Sequence, residues 1–144
     1  MANATQLKFG YPHTLIKEYD HWCVLLRPKQ PTLGSLVLVC KENETAFAQI
    51  SQEAFSELKT VTEEIETGLK AFRSFEKINY IMLMMVDPNV HFHVLPRYSS
   101  SQKFNGCEFP DEGWPAAPDL SANIDLDNGL MSPLLSEIKQ FWMP

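Results

Sequence analysis

The period of the apolar positions changes repeatedly along this chain, and each change marks an element. Residues 21–26 and 36–40 are apolar runs rich in Val and Leu, and Arg27-Pro28-Lys29-Gln30-Pro31-Thr32-Leu33-Gly34-Ser35 separates them. Proline and glycine in that connector cannot extend either run cleanly, so the pair reads as two antiparallel strands joined by a broad loop. From residue 51 to about 72 the period lengthens. Phe55, Leu58, Val61, Ile65, Leu69 and Phe72 recur at threes and fours, while Glu53, Glu57, Lys59, Glu63, Glu64, Glu66 and Lys70 take the other face. That is a long amphipathic helix, with Ser51 as N-cap and Glu53 near the positive end of the helix dipole. A weaker helical turn follows Asn43.

Residues 77–85 and 89–97 are again strand-like and are separated only by Val86-Asp87-Pro88, which predicts a hairpin. From 99 to 128 Gly, Pro, Ser, Asp and Asn dominate without a period, with Phe104, Phe109 and Trp114 interspersed. Irregular segments of that length are commonly functional. Ser132-Pro133 reads as an N-cap and first-turn proline, opening a short C-terminal helix over 132–142 with Leu134, Leu135, Ile138, Phe141 and Trp142. The expected fold is a single α+β domain spanning 1–144. It has an antiparallel sheet of about five strands, one long helix, a short C-terminal helix and a core within about 15–98.

Composition narrows the function. At 144 residues, 44% hydrophobic and 21% charged, the chain can bury a core without metals or disulfides, and its longest apolar stretch, about 80–86, is strand-sized rather than membrane-spanning. The N-terminus has no basic region followed by an apolar block, so the cytoplasm is the expected compartment. Cys23, Cys40 and Cys107 each stand alone, which disfavours a disulfide framework or a thiolate metal site. A net charge of −6 opposes binding to nucleic acid. A small anion needs only a local cluster, for which Arg27, Lys29, Arg97 and Lys103 are candidates.

The chemistry concentrates in His91-Phe92-His93-Val94-Leu95-Pro96-Arg97-Tyr98. Strand alternation sends His91 and His93 to one face, with Asn89 before them and Arg97 beyond, while Phe92 and Val94 enter a core. Three readings compete. A zinc site needs at least three protein ligands, and His13 and His21 are the only further histidines, with nothing selecting Asp87 or Asp111. The pair could also be ordinary structural histidines. In the third reading, an amide, two imidazoles and a cation suit a phosphate-like group. A neutral imidazole can attack phosphorus to form an N-phosphorylated intermediate, with Arg97 stabilising the developing charge.

Asn89-Val90-His91-Phe92-His93-Val94-Leu95-Pro96-Arg97 resembles the signature of the histidine triad (HIT) superfamily, His-φ-His-φ-His-φ-φ with φ hydrophobic, and its Val-Leu-Pro-Arg ending is similar to the fragile-histidine-triad branch. Residues 25–39 resemble the family's strand, proline-containing loop and second strand, and the element order agrees over about 15–98. The resemblance implies a homodimer formed by joining two sheets, and a nucleotide or nucleotide conjugate as partner. It implies nucleotidyl transfer or hydrolysis through a covalent nucleotidyl-histidine, with no cofactor and a divalent ion only as a companion of substrate phosphates. His91 takes the position of the nucleophile and His93 that of the phosphate or leaving-group contact. Leu25, Arg27 and Leu36 take the position of a nucleoside cleft.

The sequence departs from the family at three places. The first triad histidine is Asn89, the loop histidine is Ser35, and the loop that commonly carries Ala-Gly-Gln before the triad is missing from Met85-Val86-Asp87-Pro88-Asn89. Two expectations follow. In one, Asn89, Ser35, Arg27 and Arg97 contact substrate while residues 106–118, centred on Trp114, fold over the histidines in place of the lost loop. In the other, that segment is a surface loop whose Trp114 fills an apolar gap. The competing function is a catalytically weakened nucleotide-binding or interaction protein on the same scaffold.

Overall fold

Five antiparallel strands form the frame of the molecule, known from a computed structural model that describes residues 1–127 and 129–142. In chain order the elements are α1 (Ala4–Lys8), β1 (Leu15–Glu18), β2 (Trp22–Leu26), β3 (Lys29–Gln30), β4 (Leu36–Cys40), α2 (Gln52–Phe72), β5 (Lys77–Ile81), β6 (His91–Arg97), β7 (Gln102–Phe104), β8 (Cys107–Phe109), β9 (Ile124–Asp125) and α3 (Met131–Lys139). The main sheet runs β1-β2-β4-β6-β5. The histidine strand β6 therefore lies between two neighbours, with Val39 opposite His91, and both Val37 and Ile81 opposite His93.

Alternation divides the sheet into two apolar faces. Trp22, Val24, Leu26, Leu36, Leu38 and Val94 pack with Ala54, Val61, Ile65, Leu69 and Phe72 of α2, whose stripe follows the 3.6-residue period. The Trp22 indole N–H donates to the Ala54 carbonyl at 2.8 Å, so this large side chain is buried without stranding its polar atom. Ser51 caps α2 as its sequence position suggests, its Oγ accepting from the Ala54 N–H at 3.1 Å. On the other face Cys23, Leu25, Val37 and Val39 pack beneath Phe9.

That second face is covered by an element the apolar pattern does not announce. Helix α1 has five residues, held by a reciprocal capping box: Asn3 Oδ1 accepts from the Gln6 N–H and Gln6 Oε1 from the Asn3 N–H, both at 2.9 Å. Its anchors are tertiary. Asn3 Nδ2 donates to the carbonyls of Cys40 and Glu42, at 2.8 and 3.3 Å.

Three boundaries differ from expectation. The second hairpin is wider than a three-residue turn, since β5 ends at Ile81 and β6 begins at His91, and Met84 in between has φ +53°, which breaks the pleat. Helix α3 begins at Met131 after Leu130, with no side-chain cap, so Ser132 lies inside the helix rather than capping it. Trp142 follows the helix and lies against α2 at Gly68, where a Cβ would come within 2.5 Å of the ring. The segment 99–128 is less irregular than its composition: β7 and β8 pair across Asn105 and Gly106, both with positive φ, and β9 pairs with β3.

Candidate active site

His91 and His93 emerge on one face of β6, their ring centroids 5.2 Å apart and nearly perpendicular. The Phe9 ring closes over both, at 6.0 Å from His91 and 5.7 Å from His93. His91 Nδ1 lies 2.7 Å from the main-chain carbonyl of Asn89. A carbonyl only accepts, so Nδ1 carries the proton in the neutral ring and Nε2 keeps its lone pair. The ring nitrogen left with a free lone pair is therefore Nε2. His91 is 2% exposed, whereas His93 lines an adjoining cleft of about 380 Å³.

His93 is held neutral. Burial, the nearby Arg27 charge and His91 together push its pKa down from 6.5 to about 4, and its Nδ1 is buried without a hydrogen-bond partner. Around it the cleft collects Lys8 and Phe9 from the N-terminal segment, Arg27 from just beyond the end of β2, Lys29 from β3, and Val86 and Asp87 from the second hairpin. Three cations thus face one carboxylate, and Lys8 reaches Asp87 at 3.4 Å. The balance suits an anion.

Of the residues picked out by sequence, His91, His93 and Arg27 come together and the others do not. Asn89 is on the expected face but covered by α1: its Oδ1 accepts from the Thr5 N–H and Oγ1, each at 3.2 Å, and its own N–H donates to Thr5 Oγ1 at 3.0 Å. Its side chain ties down the N-terminus, and its carbonyl serves His91. Ser35 is wholly buried, its Oγ accepting from the Thr32 N–H and donating to the Thr32 carbonyl, so it closes the turn at Gly34 (φ +91°) and does not face the cleft.

Arg97 and Trp114 require a larger correction. Four residues beyond His93, Arg97 is displaced by about 13 Å along the strand. Asp111 grips it in a bidentate pair at 2.7 and 3.0 Å, and Asn79 Oδ1 and the Ala116 carbonyl accept two further bonds, at 2.7 and 2.9 Å. This arginine is already neutralised. Trp114 borders a larger open groove of about 980 Å³ beside β5, which contains Arg97 but neither His91 nor His93. Residues 106–118 therefore do not roof the histidines. Asp111 fastens the segment to the far end of the same face, and Phe9 occupies the roofing position instead.

Phe9 and Lys8 were not legible as site residues, Asp87 was weighed only as a metal ligand, and Gln30, whose side chain stitches the loop, was not legible either. Its Nε2 donates to the carbonyls of Arg27 and Ser35, at 2.7 and 2.8 Å, and its Oε1 accepts from the N–H groups of Gly34 and Ser35. The one available signal was Asn3-x-x-Gln6, a capping-box spacing that marks a helix start near the N-terminus. Among the described residues no group of three or more His, Cys, Asp and Glu gathers as a metal site, and no helix is long and apolar enough to cross a membrane. Burial raises the thiols of Cys23 and Cys40 to about 11, which leaves them protonated and unreactive.

Comparison with known proteins agrees with the fold. Residues 10–100 match the HIT domain family. No curated protein matches the sequence. A histidine triad protein of Bradyrhizobium japonicum superposes with a TM-score of 0.73 at 16% identity, over 99% of this chain and 98% of that one. One from Sinorhizobium meliloti gives 0.74 at 17% identity, over 97% and 95%. A hypothetical histidine triad nucleotide-binding protein of Sulfolobus tokodaii gives 0.66 at 14%, over 89% and 82%.

Proposed function

Because this chain belongs to the HIT domain family, we propose that it transfers or hydrolyses a nucleoside monophosphate through a nucleotidyl-His91 intermediate. The bond from His91 Nδ1 to the Asn89 carbonyl carries this reading, since it leaves the Nε2 lone pair free for attack. Nε2 attacks the α-phosphorus of a dinucleoside polyphosphate, a nucleoside phosphoramidate or an adenylylated conjugate. The bond from phosphorus to the leaving group breaks, and the leaving group departs with the electron pair. Water then attacks phosphorus and releases a proton to solvent, the P–N bond breaks with its electron pair returning to Nε2, and the monophosphate leaves with neutral His91 restored. Neutral His93 donates a hydrogen bond to a non-bridging oxygen or the leaving group. The ending Val94-Leu95-Pro96-Arg97 favours the fragile-histidine-triad branch. The outer edge of β5, unpaired among the described residues, favours a homodimer joined sheet to sheet, which sedimentation would test.

Incubation with an adenylate donor, followed by intact mass measurement without acid, should add one nucleotidyl group to the wild type and none to His91→Ala. Turnover in that variant should fall by at least about 10³-fold, because the covalent route is lost. Turnover retained within a few-fold would reject the assignment. A second reading, nucleotide binding without catalysis, is favoured by the engagement of Asn89 and Ser35 in structural bonds, which leaves neither side chain free to relay a proton. AMP binding without any adduct would select it.

A further inference from the structure

The two arginines suggested by sequence have opposite electrostatic situations. Arg97 is buried and fully paired by Asp111. Arg27 is half-buried, no carboxylate pairs with it among the described residues, its Nε is buried without a partner, and its guanidinium donates from Nη1 to the Lys29 carbonyl. A desolvated charge without a counter-charge is costly, and burial alone already makes this guanidinium easier to deprotonate. The main chain that carries it is nonetheless held firmly. Gln30 binds the Arg27 carbonyl, the Arg27 N–H donates to the Ser35 carbonyl at 3.0 Å, and the neighbouring Pro28 carbonyl accepts from Leu126 at 3.0 Å. An under-compensated cation carried on a fixed main chain beside His93, whose Nδ1 is also unpartnered, is a preorganised place for an anion.

We propose that Arg27 is the phosphate-binding cation of this site, holding the non-bridging oxygens of the α-phosphoryl group as negative charge grows on them, in the place expected of Arg97. The assignment rests on the nucleotidyl-transfer reading and adds to it the residue that substitutes for the missing loop. Arg27 makes and breaks no covalent bond and passes no proton. Lys8 and Lys29 line the same cleft and extend its positive field, with Asp87 opposing them.

The test compares wild type with Arg27→Met, Arg27→Lys and Arg27→Gln, the last retaining a donor for the Lys29 carbonyl, and an unchanged unfolding midpoint certifies each fold. Arg27→Met and Arg27→Gln should lower kcat about 10²-fold, with Arg27→Lys intermediate. His93 is faced by Arg27, Lys8, Lys29, Asp87 and His91, so loss of the Arg27 charge should also move the acid limb of the pH profile upward. Arg27→Lys should leave that limb in place. AMP binding, measured by calorimetry, should weaken at least about 10-fold in Arg27→Met. Wild-type kcat and AMP affinity in a folded Arg27→Met overturn the proposal. If the wild type forms no adduct, the AMP arm still decides: weaker binding in Arg27→Met supports Arg27, and equal binding removes it. A wild type that does not bind AMP overturns both readings.

Discussion

Replacing Asn89 by Ala would separate its two duties, because the substitution deletes the amide and leaves the main chain. Three hydrogen bonds to Thr5 meet at this residue, two of them accepted by Oδ1, and Nδ2 also donates to the Asn43 carbonyl at 3.3 Å. The variant keeps the bond from the Asn89 N–H to Thr5 Oγ1 and loses the other three. Each lost bond is worth about 0.5–1.5 kcal/mol net, and the wholly buried Thr5 N–H is left without its acceptor, a further cost of about 1–3 kcal/mol. Some relaxation of α1 toward water recovers part of this, so the expected destabilisation is about 2–4 kcal/mol. Urea unfolding should show it as a lower midpoint at nearly constant slope. Hydrogen exchange should show it locally, as lost protection over residues 3–9. His91 should keep its bond to the position-89 carbonyl, so the nucleotidyl adduct should still form. Asn89→His should behave alike, since an imidazole cannot present Oδ1 to Thr5, and restoring the family residue should not raise turnover. A destabilisation below about 0.5 kcal/mol, or a gain in activity from Asn89→His, would refute this division of labour.

Two further outcomes follow. His93 has a folded pKa of about 4 against 6.5 unfolded, so between those values the unfolded chain binds more protons. Stability should therefore fall as pH drops from 6.5 toward 4, by about 2 kcal/mol after allowing for solvent screening, and level off below, as far as this group is concerned. Urea midpoints across that window should decline less in His93→Gln, and parallel slopes would count against the assignment. Asp111→Asn removes a pair whose side chains are 4% and 2% exposed, so Arg97 is left with its charge uncompensated. The expected cost is about 3–5 kcal/mol, with faster proteolysis within 99–128 and, because the histidine cleft is elsewhere, AMP affinity within a few-fold of wild type. A large loss of affinity in the folded variant would put the segment back at the nucleotide.

The parts of this protein that were legible in sequence are those set by local periodicity. Alternation placed His91 and His93 on one face and Phe92 and Val94 on the other, and the threes and fours of residues 51–72 defined α2 almost to the residue, because a pleat or a helix turn repeats every few positions. Alternation also put Asn89 and Arg97 on the histidine side, correctly. It could not say what lay on top of them. Availability depends on segments distant in sequence: Thr5 is 84 residues from Asn89, and Asp111 reaches Arg97 from a stretch without periodicity. The same limit hid Phe9, which roofs the imidazoles from the C-cap of a five-residue helix too short to have an apolar stripe. Two arginines of equal formal charge read alike in sequence. Only the folded chain decides that Asp111 neutralises one and that no carboxylate among the described residues neutralises the other, because a charge interaction depends on distance and burial, and neither is written in the order of residues.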